Sequence, residues 1–238
     1  RNLLVLDAGF DRGGVLIVDA DFKNLNLPTA ERVHFRERLL EQVQAAPGVR
    51  SASETYIVPV SGSGWNNFVV VDGKRQEASV NMNNISSKYF STMGIPFVRG
   101  RDFNDQDTLD VTPGVVISEK TAKHYWPNED PIGKRLKPGA TTNTTPWRTV
   151  IGVVKDVRQN DFIAEPKMQM YFSYRQMKDL VANALVVRTS VDPLSLGTSV
   201  RNTIWSVDKD QTVANIDSME HIVAGAVARQ RFSMLLLA

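Results

Sequence analysis

Two stretches of this 238-residue chain carry the same pattern, and that repetition limits the folds open to it. In the first, Val15-Leu16-Ile17-Val18-Asp19-Ala20 reads as a buried strand. Phe35, Leu39, Val43 and Ala46 then recur at spacings of 4, 4 and 3, and Val49 to Pro59 reads as a second, less regular strand. In the second stretch, Ala184-Leu185-Val186-Val187-Arg188-Thr189 is the strand. Leu196, Val200, Ile204 and Val207 repeat the 4, 4, 3 spacing, and Thr212 to Ile216 closes the unit. Steps of three and four line up side chains on one helical face, so each stretch is β-α-β. Pro28-Thr29 opens the first helix, with Thr29 as N-cap and Glu31 in the first turn, and Pro47-Gly48 ends it. Asp192-Pro193 opens the second, with Asp as N-cap and Pro in the first helical position, and Asp208-Lys209-Asp210 breaks it. The pair predicts an α+β fold of the split β-α-β, ferredoxin-like type, with both helices on one face of a sheet.

The two units lie far apart in the chain, so a second body is inserted between them. Its texture differs: short strands and turns at Asn67 to Val71, Asp72-Gly73 and Glu77 to Asn81, then a short helix from Ser87 to Met93 closed by Gly94. Val115 to Ile117 reads as a strand running into a helix capped by Ser118 and ended by Trp126-Pro127. Gly133 to Leu136 and Arg148 to Val157 are further strands, while residues 139–146 form a Thr/Asn-rich loop without periodicity. The expected division is a discontinuous α/β subdomain, 1–60 and 177–238, and an inserted, mostly β subdomain, 61–176.

The last segment is a third kind of element. Asp217 and Glu220 have capping-box spacing, with Asp in the capping position, and Ile222, Val223, Ala226 and Val227 form a stripe. From Phe232 onward the chain is apolar all round, whereas a soluble surface helix keeps a polar face. The segment therefore reads as a stalk helix of about 30 Å leaving a globular head toward a membrane. Arg229 and Arg231 would sit at the interface. No run of apolar residues is long enough to span a bilayer by itself. The chain starts at Arg1 with no signal peptide, and so reads as a piece of a longer one.

Composition removes several functions. There is no Cys, which excludes disulfides, thiolate metal sites and cysteine nucleophiles. A net charge of +2 without a basic run argues against nucleic acid as a partner. Three His, at 34, 124 and 221, are too scattered for a histidine metal site. Gly62-Ser63-Gly64 lacks the Lys-Ser/Thr of a phosphate loop, and no Gly-x-Ser-x-Gly elbow exists. Asp102, Asp105 and Asp107 cluster without calcium-loop spacing and read as a solvated acidic turn. Glu129-Asp130 is a second acidic pair, Lys155-Asp156-Val157-Arg158 reads as a charged strand end, and His124-Tyr125-Trp126 as a helix end packing aromatics inward. Asn84-Ile85-Ser86 and Asn143-Thr144-Thr145 match the glycosylation pattern. No catalytic, cofactor-binding or metal residue is assigned.

One ordered series of motifs goes further. Ile85-Ser86-Ser87-Lys88-Tyr89-Phe90-Ser91-Thr92-Met93-Gly94-Ile95-Pro96 is followed by Arg99-Gly100-Arg101-Asp102-Phe103. Val115-Val116-Ile117-Ser118-Glu119, Tyr125-Trp126-Pro127 and Asp130-Pro131-Ile132-Gly133-Lys134-Arg135-Leu136 come next, then Thr149-Val150-Ile151-Gly152-Val153-Val154 with Asp156-Val157-Arg158. With Asp7-Ala8-Gly9-Phe10-Asp11 and Ser218-Met219-Glu220, the chain resembles the MacB-like periplasmic core domain of ABC transporter permeases, also called type VII or FtsX-like permeases. The resemblance implies a non-catalytic head on the periplasmic, extracytoplasmic side of the bacterial inner membrane, between the first two transmembrane helices of a permease. It implies a Porter-like α/β part and an inserted Sabre-like part. It also implies mechanotransmission, in which cytoplasmic ATP hydrolysis drives conformational change outside the membrane for export or efflux. The partners implied are the permease transmembrane region, a cytoplasmic ABC ATPase, a second permease copy in a homodimer, and a periplasmic adaptor. No cofactor is implied. The alternatives are a stand-alone periplasmic ligand-binding or adaptor module, and a hydrolase using the acidic clusters.

Overall fold

The computed structural model describes residues 7–20, 27–159, 165–177 and 183–236. After an irregular segment, residues 7–14, the chain forms β1 (Val15–Ala20), α1 (Thr29–Ala45) and β2 (Val49–Thr55). The inserted region then supplies β3 (Asn66–Asn67), β4 (Val69–Val71), β5 (Lys74–Arg75), β6 (Val80–Ile85), α2 (Tyr89–Met93) and β7 (Phe97–Gly100). It continues with β8 (Gly114–Ser118), α3 (Glu119–Tyr125), β9 (Arg135–Pro138), β10 (Arg148–Val154) and β11 (Gln169–Ser173). The chain returns with β12 (Ala184–Thr189), α4 (Gly197–Val207), β13 (Val213–Ser218) and α5 (Met219–Leu236).

The strands of the repeated units lie in the order β13-β1-β12-β2, every neighbour antiparallel. This is the split β-α-β arrangement, with each helix crossing from one strand to the next but one. Alternation across the pleat separates two cores. Leu16, Val18, Leu185 and Val187 face α1 and α4, packing with Phe35, Leu39, Val43, Val200 and Ile204. Val15, Ile17, Ala184 and Val186 face the other way, into a core shared with α2, α5 and the inserted region. Burial on both faces explains why these strands read as continuous apolar runs. Of the eight residues in the two helical stripes, Phe35, Leu39, Val43, Val200 and Ile204 are buried, while Ala46, Val207 and Leu196, the last in a 3-10 turn ahead of α4, are partly so. Asp192 does cap that turn, accepting from the Leu194 N–H at 3.1 Å.

The inserted region does not fold as a separate layer. Its strands extend the same sheet in the order β6-β11-β8-β10-β9-β4-β5, joined to β2 through the single pair Thr55–Ile85. It keeps a core of its own, where Val69, Val80, Met82, Val115, Ile117, Leu136 and Phe172 meet Trp126 of the α3 C-terminus.

Several sequence expectations need correction. Thr29 is not the N-cap of α1: Pro28 holds that position and no side chain caps the helix. β2 ends at Thr55 rather than Pro59, because the Asn83 side chain replaces a strand partner for Ile57. Asn83 Oδ1 accepts from Ile57 N–H at 2.9 Å and Asn83 Nδ2 donates to Ile57 O at 2.9 Å. Asp72-Gly73 does turn a tight hairpin, with both residues at positive φ, but it joins β4 to the short β5. The strand expected over 77–81 starts at Val80 and runs to Ile85. The strands expected over 133–136 and 148–157 occupy 135–138 and 148–154. Asp217 does not cap α5: Ser218 Oγ accepts from His221 N–H at 3.2 Å, and Asp217 turns to the His221 ring. β11 escaped the sequence reading altogether. It lies between β6 and β8 and is buried throughout.

Candidate functional site

Two features stand out: the way the described ends of the chain are held, and a groove beside α5. The N-terminal attachment is residues 7–13, a strap laid across the inserted region. Gly9 has φ +80°, and a Cβ there would run into the main-chain oxygen of Asp156, so only glycine fits. On either side of it the strap is pinned. Arg158 N–H donates to Ala8 O at 3.0 Å, Arg158 Nε to Asp7 O at 3.2 Å, and Asp11 N–H to Met93 O at 2.8 Å. Arg188 of β12 then ties the strap to the sheet. Its guanidinium donates to Thr92 O at 2.7 Å, Asp11 O at 3.0 Å, Gly13 O at 2.9 Å and the Asp11 carboxylate at 3.0 Å.

The stretch that receives the strap, residues 155–159, is itself anchored in the sheet. Gln169 of β11 accepts from Val157 N–H at 3.3 Å and returns a bond to Val157 O at 3.0 Å. Tyr171 Oη donates to the same Gln169 oxygen at 3.0 Å. The Asp156 carboxylate accepts from Lys120 N–H at 2.8 Å, at the start of α3. This is charge-assisted hydrogen bonding at a helix N-terminus.

The C-terminal attachment is α5, which lies against β1 and β13. Met219, Val223, Ala226 and Val227 are buried in the shared core. Past Val227 the described side chains are exposed or half-buried, and Phe232 is 64% exposed. The helix of the expected stalk is thus docked from Met219 to Val227. Residues 1–6 and the last two residues lie outside the described ones.

Between α5 and the 56–63 segment runs a groove of two adjoining hollows, of about 320 and 400 Å³, that share Asp19, Val58 and Ser61. Burial raises the Asp19 carboxyl above the usual range; an Asn215 side-chain hydrogen bond opposes this and the Asp217 charge adds to it. Ser61, His221 and Asp217 line one hollow and are the residue types of a hydrolytic triad. Half of that geometry is present, since His221 Nδ1 lies 2.8 and 3.0 Å from the Asp217 oxygens. The other half is missing. No hydrogen bond joins Ser61 to His221, Ser61 Oγ accepts from Ser63 N–H at 3.3 Å, and the His221 side chain is 75% exposed. The sequence reading missed this grouping because Asp19, Ser61 and His221 are brought together only by the sheet.

Ion pairs gather beside the seam between the α/β unit and the inserted region. Arg36 Nε donates to Glu54 Oε2 at 2.8 Å, with both side chains 1% exposed. The Tyr174 ring lies 5.0 Å from the guanidinium. Burial raises the Glu54 carboxyl, and Arg36 opposes the rise. Nearby, Arg175 reaches Glu37 of α1 at 2.6 Å and Asp105 at 3.1 Å.

The acidic stretch read as a solvated turn is not one. Asp107 is buried and paired with Arg101 through two bonds of 2.7 and 2.9 Å. Burial pushes its carboxyl up, but the Arg101 hydrogen bond, the Asn104 N–H and the Arg101 charge together hold it below the usual range. Asp102 is pushed up to about 6, by burial first and then the Asp107 charge, against the Phe103 N–H and Arg101. Glu129 pairs with Lys134, and Asp130 with Arg99. Trp126 is buried as expected, with Tyr125 partly so and His124 exposed. Asn84 is buried in β6 and so cannot accept a glycan. The 139–146 loop folds over the Lys137 ammonium, which donates to Thr141 O at 3.0 Å and Asn143 O at 3.1 Å. Among the described residues no three His, Asp or Glu side chains come together to hold a metal. Nor is any described helix long and apolar enough to cross a membrane.

Comparison with known proteins gives this architecture a context. The fold is similar to the crystal structure of the periplasmic region of MacB from Actinobacillus actinomycetemcomitans, with TM-score 0.61 and 17% identity over 93% of this chain and 96% of that one. It is also similar to the extracellular domain of the noncanonic ABC-type transporter YknZ from Gram-positive bacteria, with TM-score 0.53 and 18% identity over 84% and 100% of the two chains. In sequence, the macrolide export ATP-binding/permease protein MacB of Aggregatibacter actinomycetemcomitans is 28% identical over 127 residues, 53% of this chain and 19% of that protein. The probable syringafactin export ATP-binding/permease protein SyfD of Pseudomonas syringae pv. tomato is 26% identical over 127 residues, 53% of this chain and 18% of that protein. The chain thus spans about a fifth of the length of these relatives. Residues 4–217 match the MacB-like periplasmic core domain, and the chain belongs to that family.

Proposed function

We propose that this domain is the extracytoplasmic head of an ABC transporter permease, carrying no catalytic centre and no metal, and that it converts cytoplasmic ATP hydrolysis into conformational change outside the inner membrane for export. The observation that carries the reading is α5. A helix docked by Met219, Val223, Ala226 and Val227 and then exposed at Phe232 is rigidly joined to the sheet and free to continue away from it. Such a helix moves the head when its far end is moved. An outward direction of transport is supported by the relatives, which are named as export ATP-binding/permease proteins.

The partners are the permease's transmembrane region, a cytoplasmic ABC ATPase, a second permease copy and a periplasmic adaptor. The head divides into a Porter-like unit, 1–60 and 177–238, and a Sabre-like insert, 61–176. In support, the core under α1 and α4 draws only on the first set of residues.

The test uses the full-length permease with its ATPase in lipid vesicles. Spin labels at exposed Leu194 report the distance between heads in a homodimer. The distance distribution shifts between the nucleotide-free and ATP-vanadate states if the head is a mechanotransmitter. Identical distributions in both states would sink the proposal.

A further inference from the structure

We infer that the two ends of the domain grip different parts of it, so that sliding one end past the other turns the insert against the α/β unit. This rests on the mechanotransmission reading and says which contacts carry the movement. The strap's first hydrogen bonds go to the insert: Asp7 O and Ala8 O accept from Arg158 and Asp11 N–H donates to Met93 O, with Gly9 packed against Asp156. Only from Asp11 onward does Arg188 of β12 hold it as well. α5, in contrast, lies on β1 and β13, at the far edge of the α/β sheet.

The joint between the two parts suits such a movement. Their strands meet at one residue pair, Thr55–Ile85, reinforced by Asn83 side-chain bonds to Thr55 and Ile57 and by the Arg175–Glu37 ion pair, and away from that hinge the boundary includes a shared apolar core. Apolar packing is non-directional and tolerates small sliding better than a hydrogen-bonded ladder does. The strap's hydrogen bonds are directional. A pull at residue 7 therefore goes into residues 155–158, and from there through the Val157–Gln169 bonds into β11, which lies between β6 and β8 in the insert. A pull on α5 goes into β1 and β13.

The experiment is hydrogen exchange on the full-length permease with its ATPase, in nucleotide-free and ATP-vanadate states, alongside ATP-driven export. In the unaltered protein the amides of residues 153–158 and 169–173 change protection between the states. In Gly9→Ala, which drives a Cβ into Asp156, that change disappears from the insert while β12 keeps its own. Export falls about tenfold, within the usual range of a coupling free energy, and ATP hydrolysis continues. Gly62→Ala is the control: its φ is also positive, at +90°, but nothing lies within 4 Å. Arg158→Ala removes the side-chain bond to Asp7 O while the Arg158 N–H bond to Ala8 O stays, and it decides the matter if Gly9→Ala does not fold. An unaltered response of the insert in Arg158→Ala, or in folded Gly9→Ala, overturns the inference while leaving the head a mechanotransmitter. No response anywhere in the unaltered protein refutes the underlying reading, and the strap with it.

Discussion

The buried Arg36–Glu54 pair should behave as a unit rather than as two separate contributions. Its atoms lie 2.8 Å apart and both side chains are 1% exposed. At an effective dielectric constant of 20 the attraction is about 6 kcal/mol, and most of it is offset by the cost of taking two ions out of water. Removing one partner forfeits the attraction but leaves the other ion buried, which costs about 3–5 kcal/mol. Glu54→Leu and Arg36→Met each fall in that class. Replacing both, as Arg36→Met with Glu54→Leu, removes the ions together and leaves apolar side chains beside the Tyr174 ring. The double variant should lie within about 1 kcal/mol of the original, or above it. Urea unfolding followed by circular dichroism measures this. With a slope of about 3 kcal/mol per molar urea, each single variant lowers the midpoint by about 1–1.7 M. A double variant as unstable as the sum of the two singles would refute the reasoning, because it would mean that the two charges are held independently.

Other outcomes follow from named side chains. Leu39 is fully buried under the α/β sheet, so Leu39→Ala should cost about 2–5 kcal/mol and lower the melting temperature by roughly 5–15 °C in calorimetry, whereas Leu194→Ala at an exposed position should change it little. Ser118 Oγ accepts from the Thr121 N–H at the start of α3, so Ser118→Ala should lose about 1 kcal/mol in urea unfolding; no loss would mean that the Asp156 bond to Lys120 caps the helix alone. The Asp102 carboxyl is raised in the folded state to about 6 from 3.8, so the folded protein keeps a proton that the unfolded chain has released. Its contribution to stability is therefore largest at acid pH and is lost as pH rises through that window. The stability difference between the original and Asp102→Asn should change across about pH 4 to 6 and stay constant above it; a flat difference would show that the carboxyl titrates normally.

The α/β unit was legible because its two halves repeat a helical spacing and because the ends of their strands carry Pro, Gly and Asp. Phe35, Leu39, Val43, Val200 and Ile204 are buried where that spacing put them. The insert was harder to read, for identifiable reasons. β6 alternates Val80 and Met82 with Asn81 and Asn83, which reads as a half-exposed strand. It is buried on both faces because Asn83 spends its amide on Thr55 and Ile57. β11 offers a Gln and a Ser at its ends and no partner within reach in the sequence. Its burial comes from strands far away in the chain, and Gln169 is satisfied by Val157. Asp107 looked solvated because acidic residues surround it, and Arg101 lies six positions upstream, outside any helical or strand pairing. The groove was invisible to the sequence for a related reason: Asp19, Ser61 and His221 belong to three elements that meet only in the finished sheet. The family resemblance, by contrast, lay in short motifs whose order survives at 28% identity or below.

The pairing of β1 with β12 also sets the order in which this domain can be made. Ile17 lies opposite Val186, so the central strands of the α/β sheet are separated by the entire insert. A ribosome releases β1 and α1 long before β12 exists, and during that interval the apolar faces of Leu16, Val18, Phe35 and Leu39 have no sheet to cover them. Closing so long a loop from an unfolded chain is slow. The insert shortens it. Its own core, from Val69 to Phe172, can form as soon as residue 173 emerges, and folding it brings Ile85 of β6 and Ser173 of β11 side by side. The start of β12 is then delivered close to Thr55, its partner in the finished sheet. A deletion that trims the insert for the sake of a simpler protein would therefore remove the template on which the α/β half assembles, and should yield aggregated chains rather than a smaller domain.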